Sequence, residues 1–145
     1  MLSKPDRGWT NVNIGRHSFR CSYLTDIPTH LLNAVEWCVL SSDPCAVCVL
    51  PEHTQSRTQS EDRYVLVFDV NASYLISTER FVCWQIELPI TAIARDLIRD
   101  IRTYIEDWVD WPAISSEPGF DPVARKESLL TSCMAIEQSL PKHLS

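Results

Sequence analysis

Cys45-Ala46-Val47-Cys48 is the spacing in this chain that most invites chemistry. A C-x-x-C pair runs thiol–disulfide exchange when its first thiol sits at a helix N-terminus, where the local field lowers the thiol pKa. Here the pair opens a short β-branched apolar run, residues 45–50, that reads as a strand, and strand residues three apart point to opposite faces. A zinc site would need two further ligands at related spacing, and His17, His30, His53 and His143 are scattered. His53 stands beside Glu52 in the manner of a general base, although a lone His beside an acid in a polar stretch is more often simply exposed. Carboxylates recur as Asp96/Asp100 and Asp107/Asp110. A catalytic pair needs an environment that shifts its pKa values, and these fall on the outer side of a helix. No G-x-S-x-G occurs, and three glycines cannot build a phosphate-cradling loop in the usual way. The expectation is a chain that is not an enzyme, with no cofactor and no metal.

The element expected to organise the rest is a long amphipathic helix within residues 89–111. Ile90, Ala94, Leu97, Ile101, Tyr104, Ile105 and Trp108 recur at helical spacing, and Pro89 suits a helix start. At about 100° per residue Asp96, Asp100, Asp107 and Asp110 share a narrow stripe, with Arg95, Arg99 and Arg102 beside it. Such charges read as a solvated face with internal pairs such as Arg102–Glu106, or as a docking surface for a basic partner.

Around that helix, residues 1–8 are polar and read as a loose end. Residues 9–24 read as one or two strands about a turn at Gly15-Arg16. Asp26 is a candidate N-cap for a helix whose apolar face is Leu31, Leu32, Val35, Cys38 and Val39. Residues 51–62 read as an exposed loop, 63–70 as a central strand, 71–78 as a turn region, and 79–88 as an alternating strand with Val82, Trp84, Ile86 and Leu88 on one face. Residues 112–120 form a Pro/Gly-marked connector, and Asp121-Pro122 starts a last helix with Leu129, Cys133, Ile136 and Leu140 inward. The pattern predicts one α+β domain over residues 1–145. Its antiparallel sheet has four to five strands, with the long helix and two shorter ones packed mainly on one face.

A length of 145 residues with 45% hydrophobic content suffices for a sizeable core. The net charge of −6 disfavours nucleic acid and favours a basic protein partner. No apolar run approaches the ~20 residues of a membrane span, and the N-terminus lacks a secretory h-region, so the expected compartment is the cytoplasm. In a reducing compartment the six cysteines are expected as free thiols, with Cys38, Cys48, Cys83 and Cys133 in the core.

The run from Phe19 to Ala34, the strand into Pro51-Glu52, and the helix ending Trp108-Val109-Asp110-Trp111 together resemble small bacterial immunity proteins. These accompany contact-dependent growth-inhibition and other polymorphic toxins. The resemblance spans roughly residues 9–111. It implies a cytoplasmic acidic protein that binds one cognate toxin domain, often a basic nuclease, and blocks its active site or a substrate surface. The surfaces expected to make contact are Asp96, Asp100, Asp107 and Asp110 on the helix, and Glu52, Glu61 and Asp62 in the polar loop. No nucleic acid or membrane partner is expected, and the chain is expected as a monomer or homodimer. A dimeric secretion chaperone for an effector protein is the alternative. A thiol or hydrolytic enzyme using Cys45/Cys48 or His53 ranks behind both.

Overall fold

The chain opens with a hairpin in which β1 (Trp9–Ile14) and β2 (His17–Ser22) pair antiparallel, Trp9 opposite Ser22 and Ile14 opposite His17. The turn at Gly15-Arg16 places Gly15 at φ 59°, the positive value a two-residue hairpin turn favours at its first position. The computed structural model describes residues 1–22, 25–49 and 63–141. The polar loop at 51–62, including Glu52, His53, Glu61 and Asp62, lies outside these residues, as does His143.

Residues 1–8 are not the loose end their polarity suggests. Met1 and Leu2 are buried, Leu2 bridges to Val12, and Asp6 bridges to Trp9. The Ser3 N–H donates to the Asn11 carbonyl at 3.0 Å, and the Asn13 N–H to the Met1 carbonyl at 2.7 Å. Backbone pairing of this kind ties down an end that composition alone leaves free.

Helix α1 (Ile27–Ser41) follows, with Asp26 at its N-cap as expected. The Asp26 carboxylate makes no cap hydrogen bond, because an arginine from far along the chain takes it. Four strands then form one antiparallel meander in sequence order: β3 (Cys45–Val49), β4 (Tyr64–Phe68), β5 (Ser73–Ser77) and β6 (Val82–Ile86). Strand β4 is internal, as its apolar run predicts. Alternation places Val47, Val49, Leu66, Phe68, Leu75 and Ile86 on the buried face. The opposite face carries Ala46, Cys48, Tyr74 and Cys83, all exposed. Cys48 and Cys83 are therefore surface thiols, not core residues. Cys48 sits one position out of phase with buried Val47 and Val49, and Cys83 one position out of phase with half-buried Trp84.

Two short helices and two longer ones complete the chain: α2 (Ile90–Thr103), α3 (Ile105–Val109), α4 (Pro112–Ser115) and α5 (Pro122–Ser139). The expected continuous helix through Trp108 is broken at Tyr104, whose φ of −114° and ψ of 32° leave the helical region. The Thr103 hydroxyl donates to the Arg99 carbonyl at 2.7 Å, the back-bonding that bends helices. Beyond the break Trp108 and Trp111 turn inward and their rings meet at 5.4 Å. The longest helix is α5, an 18-residue element capped by Asp121, which accepts from the N–H groups of Val123 and Ala124. Its predicted inward stripe of Leu129, Cys133, Ile136 and Leu140 is buried. Helix α1 packs on β3 and β4, and α5 lies against α1 and α2. The architecture is α+β, with, among the described residues, a four-stranded sheet, a separate two-stranded hairpin and five helices. No helix among the described residues is long and apolar enough to cross a membrane.

Candidate functional site

Strand β3 has β4 on one side and, among the described residues, no strand on the other. A groove of about 740 Å³ touches Cys45, Ala46, Val47 and Cys48, four consecutive residues of β3. Alternation sends Cys45 and Val47 to one face and Ala46 and Cys48 to the other. A single groove meets all four only by running along the backbone edge, and β4 occupies the other edge. The groove therefore follows the edge of β3 that no described strand pairs. Its far wall is α1, through His30, Asn33, Ala34 and Trp37, which recur at i, i+3, i+4 and i+7. Trp37 is 56% exposed and Leu40, one turn further on, 55%. Large apolar side chains exposed beside a groove mark it as a contact surface.

The sequence reading passed over this wall. It counted the inward stripe of α1 and stopped, although on the same wheel Trp37 and Leu40 fall well away from Val35. An aromatic residue off the buried stripe was the available signal.

The expected acidic stripe is only partly a surface. Asp107 and Asp110 are exposed, and Asp96 is half-exposed with Arg99 on it at 3.1 Å. Asp100 is a correction: it is 8% exposed, and its carboxylate receives the Met1 ammonium, the Leu2 N–H at 2.9 Å and Arg99 Nε at 3.1 Å. The hairpin-side terminus folds over it, so it faces the interior. The predicted Arg102–Glu106 pair is also replaced. Arg102 reaches Glu137 on α5 and holds that carboxyl below its usual pKa, while Glu106 pairs with Lys126 of the same helix. The α2–α3 charges are thus partly spent on holding α5. The strongest such contact is Arg125, which grips Asp26 with two guanidinium nitrogens at 2.9 Å each, donates from Nε to the Trp108 carbonyl at 3.0 Å, and is 8% exposed.

The thiol readings divide by burial. Desolvation pushes Cys21 up to about 12 and Cys133 to about 11, and raises Cys38 with help from nearby Asp69 and Cys45. Thiols held protonated are poor nucleophiles. They also set a pH dependence. The unfolded chain ionises each thiol near its ordinary value, while the folded chain keeps it protonated, so their contribution is complete below about pH 9 and is lost as pH rises towards the folded values. The expected decline is about 1.4 kcal/mol per pH unit for each thiol that ionises only on unfolding. Denaturant titrations between pH 8 and 11 should give a shallower decline for Cys21→Ala. Equal slopes would remove Cys21 as a source.

Among the described residues no three His, Cys, Asp or Glu side chains come together as a metal site, and every buried side-chain polar atom has a partner. Cys45 and Cys48 point to opposite faces of β3, the arrangement expected of a strand and unsuited to a dithiol pair. His17 stacks near Trp84 at 5.7 Å, and His30 stands in the groove wall.

No family model, curated protein or solved structure matches this chain.

Proposed function

We propose that this chain is a protein-binding module of the immunity type, a cytoplasmic protein that neutralises a cognate toxin domain by covering its active site or a substrate surface. The observation that carries this reading is the groove along β3 with Trp37 exposed at its wall. An exposed tryptophan in a concave surface supplies a large apolar anchor, the side chain most often responsible for binding energy at protein interfaces. The net charge of −6 suits a basic partner, whose approach opposite fields accelerate. Asp107 and Asp110, beyond the break, and Asp96 on α2 remain the proposed steering residues, joined by Glu52, Glu61 and Asp62. Asp100 drops out of that set because it is buried.

The test is to co-express the chain with the C-terminal domain encoded immediately upstream. Survival only in the presence of this chain, together with a stoichiometric complex, is the expected result. A neighbour that is toxic with or without this chain overturns the proposal. Once the complex is in hand, Asp107→Lys with Asp110→Lys should slow association by about tenfold at low salt and flatten its salt dependence. An unchanged association rate would remove that stripe from the encounter surface.

A second reading, a chaperone for an exported effector, is favoured by one observation. Helix α5 exposes Val123 and Met134 on one side, with Leu130 half-buried between them. An apolar stripe of this kind suits an extended client or a dimer partner. Export of the neighbour only in the presence of this chain, and a dimer by light scattering, would select this reading.

A further inference from the structure

We infer that the groove between α1 and β3 takes an extended segment of a partner protein as a fifth strand of the sheet, anchored on Trp37. The inference rests on the protein-binding reading and gives that surface a specific occupant. An edge strand presents a row of backbone N–H and C=O groups, on alternate residues, to whatever lies beside it. Natural sheets blunt such edges with charge, proline or a bulge. Strand β3 does none of these. Its sequence, Cys-Ala-Val-Cys-Val, has no charge and no proline, and its register with β4 runs unbroken from Cys45 opposite Phe68 to Val49 opposite Tyr64.

The opposite edge of the sheet differs. Around β6 the hairpin closes in: His17 stacks near Trp84, Arg16 pairs with Glu87 at 2.6 Å, and a side-chain carbon at Gly15 would lie 3.6 Å from Ile86. Among the described residues, β3 is the edge left accessible, with a helix standing off it as a second wall.

The two walls define the occupant. A strand seated beside β3 lies about 4.8 Å away and needs roughly five residues to match it. Its backbone satisfies the row of donors and acceptors, which a docked helix cannot do. Its side chains alternate, one set meeting Trp37 and Ala34 on the inner side and the other lying beside Ala46 and Cys48 on the outer side. These four are apolar or weakly polar, while Thr25, His30, Asn33 and Arg63 add polar groups to the same lining, so the segment that fits is extended, with an apolar side chain where it meets Trp37 and Ala34. This is recognition by strand addition, with affinity from the main chain and selectivity from the pocket that holds every second side chain.

The test uses a displayed library of random heptapeptides, selected on the full chain. Selected peptides are then synthesised with each amide N-methylated in turn. Strand addition requires alternate amides only, so methylation should weaken binding at least tenfold at every second position and little between. Trp37→Ala, a change at an exposed side chain, should weaken every selected peptide at least tenfold. Peptide binding should also shift tryptophan emission to shorter wavelength in the parent chain and not in that variant. Failure to enrich any heptapeptide, or binding indifferent to both N-methyl register and Trp37, overturns the proposal. So does a homodimer whose β3 amides are protected from hydrogen exchange, which would seat a second copy on that edge.

The two readings fail separately. A neutralised toxin domain whose affinity ignores Trp37→Ala sinks the groove and leaves neutralisation standing. Heptapeptides that bind in the expected register, with no toxin neutralised on co-expression, do the reverse.

Discussion

Replacing Arg125 by alanine is expected to lower the unfolding free energy by about 3–5 kcal/mol, a large share of the total for a domain of this size. The guanidinium is 8% exposed and Asp26 12%, so the pair is largely out of water. Truncation would leave the Asp26 carboxylate buried without its cation, and would strand the Trp108 carbonyl that Nε satisfies at 3.0 Å. The cost of the change is mainly that of the groups left behind. Two further variants separate this from loss of packing. Arg125→Lys keeps the charge but cannot make the two-pronged contact and the Nε bond together, so it should fall between parent and alanine. The double change Arg125→Met with Asp26→Leu removes both charges and should recover most of the loss, because an apolar pair can replace a buried ion pair at little cost. Urea titration of the set is the measurement. A double variant no more stable than Arg125→Ala would show that the pair matters for more than its own burial.

The second large effect is expected at Asp100. Substitution by asparagine keeps the shape but removes the negative charge that faces the Met1 ammonium, the Leu2 N–H and Arg99 Nε. Leaving an ammonium group buried without a counter-charge costs about 3–5 kcal/mol. The loss should be local at first, because residues 1–8 join the hairpin through two isolated bridges, a few hydrogen bonds and the buried side chains of Met1 and Leu2, apart from the contacts Asp100 itself makes. Hydrogen exchange at the Asn13 amide, which bonds to the Met1 carbonyl, should therefore speed up in Asp100→Asn before the sheet amides respond. Uniform change across all amides would mean that the N-terminal segment does not open as a unit.

Most of the strands and the last helix are legible because their signals are local; β5 is the exception, since residues 71–78 read as a turn region and Ser73–Ser77 pair between β4 and β6. Alternation fixes which side of β4 and β6 is buried, and the Asp121-Pro122 start reads directly as a capped N-terminus. The misreadings share one cause, which is dependence on partners distant in sequence. Asp100 lies about 20° from Ile93 on the helical wheel, at the margin of the buried arc. Its burial is decided by Met1 and Leu2, which periodicity within residues 90–108 does not see. Asp26 was correctly placed at a helix start, yet its carboxylate serves Arg125, 99 residues away. Cys48 and Cys83 were assigned to the core by residue type where their phase points outward. The groove went unread for a similar reason, since a free edge is a property of strand order and neither β3 nor α1 shows it alone.

The Asp26–Arg125 contact also orders events in time. During synthesis at about 5–20 residues per second, Arg125 leaves the ribosome's active centre roughly 5–20 s after Asp26. The sheet meander, whose neighbours are consecutive in the chain, can pair within that interval. The face of α1 that meets α5 cannot be covered until the last helix arrives. For those seconds a nascent half-domain presents both an apolar helix face and the bare rim of β3. The edge of β3 that no described strand pairs is then open to any extended chain nearby, so the rate at which α5 docks sets the interval during which misassembly competes with folding.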